Sequence, residues 1–202
     1  MRLIGDKLVC ERGGRQVFAS LDFTVGAGEL LVLKGPNGAG KTSLLRMIAG
    51  LNEPVSGRLQ LEGGNAELTI GQHCHFIAHQ DALKPALTVA ENLEFWGNFL
   101  GGGEVAGALA AFDLAPLSHF QAALLSAGQK RRLALSRLAL IPRPVWLLDE
   151  PTVGLDQASQ ERLVTLMMGH LATGGLIIAA THVEIGAKPH RLLDFETLAA
   201  AG

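Results

Sequence analysis

The chain has 202 residues, 48% of them hydrophobic and 18% charged, with a formal net charge of −2. That describes one globular domain with room for an inserted subdomain, and the weak negative charge argues against a nucleic-acid-binding surface. No apolar run nears the ~20 residues of a membrane span, the opening stretch Met1 to Asp6 is not a signal peptide, and Cys10 and Cys74, far apart and outside any C-x-x-C, read as reduced thiols of a cytosolic protein.

In chain order, alternating runs over Arg2 to Cys10 and Val17 to Val25 predict strands, with Leu21 to Val25 the clearest. Leu30 to Leu33 is an apolar run that predicts a buried strand. It leads into Gly35-Pro36-Asn37-Gly38-Ala39-Gly40-Lys41-Thr42, which fits the phosphate-binding loop G-x-x-x-x-G-K-[ST]. The glycines let the backbone curl so that successive N–H groups can face an anion. Lys41 supplies a point charge for β- and γ-phosphates, and the Thr42 hydroxyl is a candidate Mg²⁺ ligand. Helical spacing from Thr42 to Ala49, stopping at Gly50, sets the loop at a helix N-terminus, with Ser43 inside its first turn. Gly57 to Leu61 and Phe76 to His79 predict further strands. Thr88 to about Leu140 turns helical, broken by a loop at Gly101-Gly102-Gly103. Val145 to Leu148 and Leu176 to Thr181 predict buried strands on either side of a helix from about Gln157 to Leu171. Thr197 to Gly202 is expected to fray. The alternation of strand and helix predicts an α/β fold with a mainly parallel sheet.

The strand at Val145 ends in Asp149-Glu150. An Asp at the end of a buried strand beside a phosphate loop is placed for Mg²⁺, and the acid one residue on suits a water-orienting base. Leu125-Ser126-Ala127-Gly128-Gln129 precedes a helix from near Gly128 to Ser136, and small residues there offer a second anion-binding surface.

That pentapeptide resembles the LSGGQ signature of the ATP-binding cassette (ABC) ATPases. The other motifs of that family follow in its order: Gln80 resembles the Q-loop glutamine, Gly154-Leu155-Asp156 the D-loop and His182 the switch histidine. The resemblance spans almost the whole chain. It implies a P-loop NTPase core (residues 1–83 and 141–202) with an N-terminal antiparallel part and an inserted helical signature subdomain (84–140). It also implies that two domains sandwich two MgATP head to tail. Ser126, Gly128 and Gln129 would then meet the nucleotide held by the Gly35–Ser43 loop of a partner. Glu150 would polarise the attacking water, His182 would hold the γ-phosphate and Gln80 would link Mg²⁺ to the helical region. Ala127 departs from the usual glycine. The family's adenine-stacking aromatic falls near Arg12, whose guanidinium can stack on a base, with Phe18 the other candidate.

Leu51-Asn52-Glu53-Pro54, Leu87-Thr88-Val89-Ala90-Glu91-Asn92-Leu93 and the run from Leu125 to Leu138 are similar to the ATP-binding subunits of cytochrome c maturation, the haem exporter ATPases, and Ala127 fits that subgroup. The resemblance implies a peripheral protein at the cytoplasmic face of the bacterial inner membrane, acting with separate membrane-spanning subunits and as a homodimer, without nucleic acid. It implies ATP use for haem export or for release of a haem-loaded chaperone. Another exported cargo (lipid, drug or peptide) and a nucleotide-switched regulatory module are the competing readings; Glu150 and His182 speak against the second.

Four further features stay open at this level. On a strand, His73, His75 and His79 would share one face and could bind a metal or haem, or be plain strand residues. Phe95, Trp96 and Phe99 lie near one helical face, as core or as a groove for a membrane subunit's helix. Mean hydropathy is +0.27, which an apolar docking face or the Ala and Leu content alone would give. Lys130-Arg131-Arg132 reads as the solvated face of the signature helix, with a phosphate contact as the alternative.

Overall fold

Two long strands, β1 (Arg2–Arg12) and β2 (Arg15–Gly26), pair antiparallel from Arg2 opposite Gly26 to Arg12 opposite Arg15. A third, β4 (Ser56–Glu62), pairs with the other edge of β1, giving a three-stranded sheet of order β2-β1-β4. The computed structural model describes residues 1–187 and 189–196; the stretch from Thr197 expected to fray lies outside the described residues.

The second sheet is parallel. Its strands are β3 (Leu30–Lys34), β5 (Cys74–Ile77), β6 (Val145–Asp149), β7 (Leu176–Ala180) and β8 (Arg191–Asp194), in the order β5-β6-β7-β3-β8. The period of two along the buried strands divides the core between the sheet's faces. Leu30 and Val32 of β3, Trp146 and Leu148 of β6, and Ile177 and Ala179 of β7 join one apolar cluster. Their neighbours Leu31, Leu33, Val145, Leu147, Ile178 and Ala180 join the other. Helix α1 (Lys41–Ile48) and the antiparallel sheet cover the second face, through Leu44, Leu45, Leu3, Leu21 and Val25.

The first face is covered by α5 (Gln157–Ala172) and by a helical region: α2 (Val89–Leu100), α3 (Val105–Ala111) and α4 (Ala127–Ser136). Val89, Leu93, Phe112 and Leu133 pack in the same cluster as the strand residues, so the helices share the sheet's core. Capping boxes start two of them: Thr88 with Glu91 on α2, Ser126 with Gln129 on α4. No helix among the described residues is long and apolar enough to cross a membrane.

Two expectations shift. The strand read as Phe76 to His79 is Cys74–Ile77, so His79 lies in the loop beyond it. The edge strand β8, polar and exposed in the pattern Arg-Leu-Leu-Asp, has no counterpart in the sequence reading.

Candidate nucleotide-binding and hydrolysis site

Register brings the predicted motifs to one edge of the parallel sheet. Leu33 of β3 and Asp149 of β6 both stand opposite Ala180 of the intervening β7. Just beyond these three positions come the Gly35–Thr42 loop, Glu150 and His182 respectively, at the carboxyl ends of neighbouring strands where open α/β sheets bind ligands. Gly40, the residue before α1, has φ 111° and a Cβ there would sit 2.7 Å from Val17 Cγ1, so both conformation and space demand glycine.

The result is a cavity of about 890 Å³ lined by residues 37–43, Asp149, Glu150, His79, His182 and the β1–β2 turn with Arg12, Arg15, Gln16 and Val17. Lys41 Nζ donates to the carbonyls of Gly35 (2.5 Å) and Pro36 (3.0 Å) and lies 3.3 Å from His182 Nε2. That imidazole nitrogen is also 2.7 Å from Asn37 Oδ1 and 3.4 Å from Glu150 Oε1. Thr42 Oγ1 donates to Asp149 Oδ2 at 2.9 Å. Ammonium, imidazole and carboxylate thus meet around one point at the N-terminus of α1. A hydroxyl and a carboxylate side by side form the all-oxygen donor set that a hard divalent cation prefers, so this pair fits Mg²⁺.

The remaining predicted residues fall outside this lining. Gln80 is exposed, one residue past His79. Ser126 caps α4, its hydroxyl accepting from the Gln129 N–H at 3.2 Å while Gln129 Oε1 accepts from the Ser126 N–H at 2.8 Å. Ala127 is exposed in the first turn of α4. At Gly128 an added Cβ would sit 3.0 Å from the Gly154 carbonyl, so that position holds glycine against the D-loop.

The comparisons with known proteins agree with this arrangement. The profile of the ABC transporter family matches residues 18–153. The chain belongs to the ABC transporter family. It is 55% identical over 194 residues to the cytochrome c biogenesis ATP-binding export protein CcmA of Bradyrhizobium diazoefficiens, covering 95% of this chain and 97% of that one. The CcmA of Brucella abortus is 47% identical over 188 residues, covering 92% and 87%. Among solved structures, the ATP-binding subunit of an ABC transporter superposes with a TM-score of 0.82 at 27% identity, over 91% of this chain and 80% of that one. The ABC cassette MJ0796 bound to ADP and Pi, at 22% identity, shares the fold with a TM-score of 0.81 over 95% and 93%. As an ABC ATPase the chain is an ATP hydrolase.

Within this ABC fold several readings need correction. Phe18 is buried and meets Phe195 edge to face at 6.0 Å, so it cannot stack on a nucleotide base, whereas Arg12 lines the cavity. The three histidines share no face. His73 sits in a 3-10 turn, bonded to Thr69 O and the Asn65 N–H; His75 is buried with Nε2 2.7 Å from Ile141 O; His79 lines the nucleotide cavity. Burial pulls the His75 pKa down to about 4 and pushes the Cys74 thiol up to about 12. Plain packing accounts for His73 and His75.

Arg131 is no solvated residue of the signature helix. It is 4% exposed and donates from Nη1 to Ala78 O (2.9 Å) and Asp81 Oδ1 (3.0 Å), and from Nη2 to Asp149 O (3.0 Å) and Glu150 O (2.8 Å). The signal was present: Arg131 stands four and seven residues before Leu135 and Leu138, on the apolar stripe of α4. Arg137 is a second buried cation, donating to Phe76 O at 2.7 Å and lying 4.1 Å over the Trp96 ring. Burial draws its pKa down to about 10. Trp96 is thereby held inward, while its edge-to-face neighbours Phe95 and Phe99 are exposed.

Proposed function

We propose that the chain is the ATP-hydrolysing subunit of a membrane complex for cytochrome c maturation, coupling hydrolysis to haem export or to release of a haem-loaded chaperone. The observation that carries this is the match along almost the full length to CcmA proteins, together with the cavity where Lys41, Asp149, Glu150 and His182 converge. In this reading the Gly35–Ser43 loop cradles the phosphates of ATP with its backbone N–H groups, and Lys41 moves from its own loop carbonyls to the β- and γ-phosphates. Thr42 and Asp149 would hold Mg²⁺, with Gln80 swinging in to join them. Bound there, the cation neutralises phosphate charge. Glu150 accepts the proton of the attacking water, and His182, released from Asn37, donates to the γ-phosphate oxygen. Arg12 stacks on adenine.

Ser126, Gly128 and Gln129 lie outside the cavity, which supports a head-to-tail sandwich in which they meet the γ-phosphate held by a second copy of the chain. Residues 84–140 would move as a helical unit against 1–83 and 141–202. Exposed Phe95 and Phe99 beside Trp96 suit the cytoplasmic helix of a separate membrane-spanning subunit, which would hold the protein at the cytoplasmic face of the inner membrane.

The test is haem staining of c-type cytochromes in cells lacking this chain, complemented by wild type and by Glu150→Gln. Loss of covalent haem that only wild type restores supports the reading. Normal haem attachment without the chain overturns the haem pathway and redirects the search to another cargo.

A further inference from the structure

Glu150 is held in an unusual way. Its φ of 47° puts a non-glycine residue in the left-handed region, which persists only where neighbours over-determine it. Three groups do so. The Glu150 N–H donates to Ala180 O at 2.8 Å, and one nitrogen, Nη2 of Arg131, donates both to the carbonyl before the strained residue (Asp149) and to its own carbonyl (Glu150). The other terminal nitrogen is fixed on Ala78 O and Asp81 in the loop after β5. The planar fork of a guanidinium spans these four acceptors at once; an ammonium cannot.

From this geometry we infer that Arg131 is a positioning residue for hydrolysis: from the middle of the signature helix it fixes the Glu150 backbone, and with it the direction of the Glu150 carboxylate. The inference rests on the proposed role of Glu150 as acceptor of the water proton. Arg131 itself does not line the cavity, so it touches neither nucleotide nor water there. Its loss should therefore lower the hydrolytic step while sparing ATP binding. It also joins three parts that must agree for hydrolysis: α4 with the signature at its start, the loop carrying Gln80, and the end of β6. A helix shift would be transmitted through this guanidinium to Glu150.

The test uses the full chain in its purified membrane complex, comparing wild type, Arg131→Lys, Glu150→Gln and the double variant. Arg131→Lys keeps the charge and loses the fork. The expected result is a kcat about ten- to hundredfold lower, with KM and nucleotide affinity within about threefold of wild type and a cooperative melt retained. In the double variant the Arg131→Lys change should add no further loss, because both act on one group. A folded Arg131→Lys protein with wild-type kcat overturns the inference and leaves the role of Glu150 standing. So does a loss in kcat matched by an equal loss of ATP affinity. Normal turnover by Glu150→Gln removes the base assignment itself, and the inference with it. Should Arg131→Lys fail to fold, Asp81→Asn frees the fork from its anchor while leaving the carbonyl bonds. It should lower kcat severalfold at unchanged KM, and unchanged kcat there overturns the inference.

Discussion

Replacing Thr42 by valine tests the metal site without altering shape. Valine keeps the branched outline of threonine and has nearly the same helix propensity, so α1 should be unaffected. What disappears is the hydroxyl that donates at 2.9 Å to Asp149 Oδ2, on a residue only 4% exposed. A hydrogen bond to a carboxylate contributes about 1.5–3 kcal/mol. Thr42 is itself exposed to the cavity, so water recovers part of that, and a cost of about 1–2 kcal/mol is expected without nucleotide. For a chain of this size that lowers Tm by roughly 2–8 °C. The second effect is larger. Saturating ATP with Mg²⁺ should stabilise wild type by about 3 kcal/mol at a hundredfold excess over Kd, and the variant should lose the increment that Mg²⁺ adds over ATP with chelator. Thermal melts of both proteins, bare, with ATP and EDTA, and with ATP and Mg²⁺, separate the two effects. A variant that keeps the full Mg²⁺-dependent increment would refute the assignment of Thr42 to the metal. An unchanged melt of the bare protein would refute the energetic weight given to the Thr42–Asp149 bond.

Three further outcomes are expected. Glu150→Gln lowers kcat about 10²–10⁴-fold with ATP affinity retained, and size exclusion with ATP shows an accumulated dimer; turnover at the wild-type rate sinks the base assignment. Arg12→Ala should raise the Kd for ATP roughly two- to fivefold if, as proposed, its guanidinium stacks on adenine, whereas Phe18→Leu changes melting temperature and not Kd; the reverse pattern would return the stacking role to Phe18. Stability should also fall in mild acid. His75, neutral in the fold with its pKa drawn from 6.5 to about 4 by burial, takes up a proton in the unfolded chain first. Its contribution is therefore complete above pH 6.5 and declines as pH falls toward 4, by up to about 3 kcal/mol. Urea midpoints across that window should show the slope in wild type and a flatter profile in His75→Gln; equal slopes would remove His75 as the cause.

The elements legible in the sequence are those whose pattern has one physical meaning. Leu30 to Leu33 and Val145 to Leu148 are unbroken apolar runs of strand length, and both are strands buried on two faces. Gly50 and Gly101 stop α1 and α2 where glycine takes positive φ. The signature helix, read from near Gly128, starts at Ala127 behind a Ser126–Gln129 capping box. What was not legible depends on distant partners. β8 is short, exposed at the sheet edge and made a strand only by pairing with β3. Nothing local says that Phe18 turns inward to Phe195, or that Arg131 leaves solvent for four acceptors contributed by two separate segments. A charged residue beside two others reads as solvated until the carbonyls that satisfy it are known.

The position of Arg131 bears on why the groups are divided as they are. The phosphate loop, both acids and His182 surround one cavity, yet the signature residues stand apart from it at the start of α4. In the proposed sandwich that helix start answers to the nucleotide of the partner, while five residues further along the same helix Arg131 grips the carbonyls flanking the chain's own Glu150. One rigid helix then reads the neighbour's γ-phosphate at one end and sets the local base from its middle. In that arrangement hydrolysis at one nucleotide would depend on occupancy of the other through this element. A prediction follows about cooperativity rather than rate. If α4 carries the coupling, the steepness of hydrolysis against ATP concentration should fall toward a hyperbola in Arg131→Lys, measured on whatever activity remains. A variant that stays as sigmoidal as wild type would mean that the sites communicate by another route.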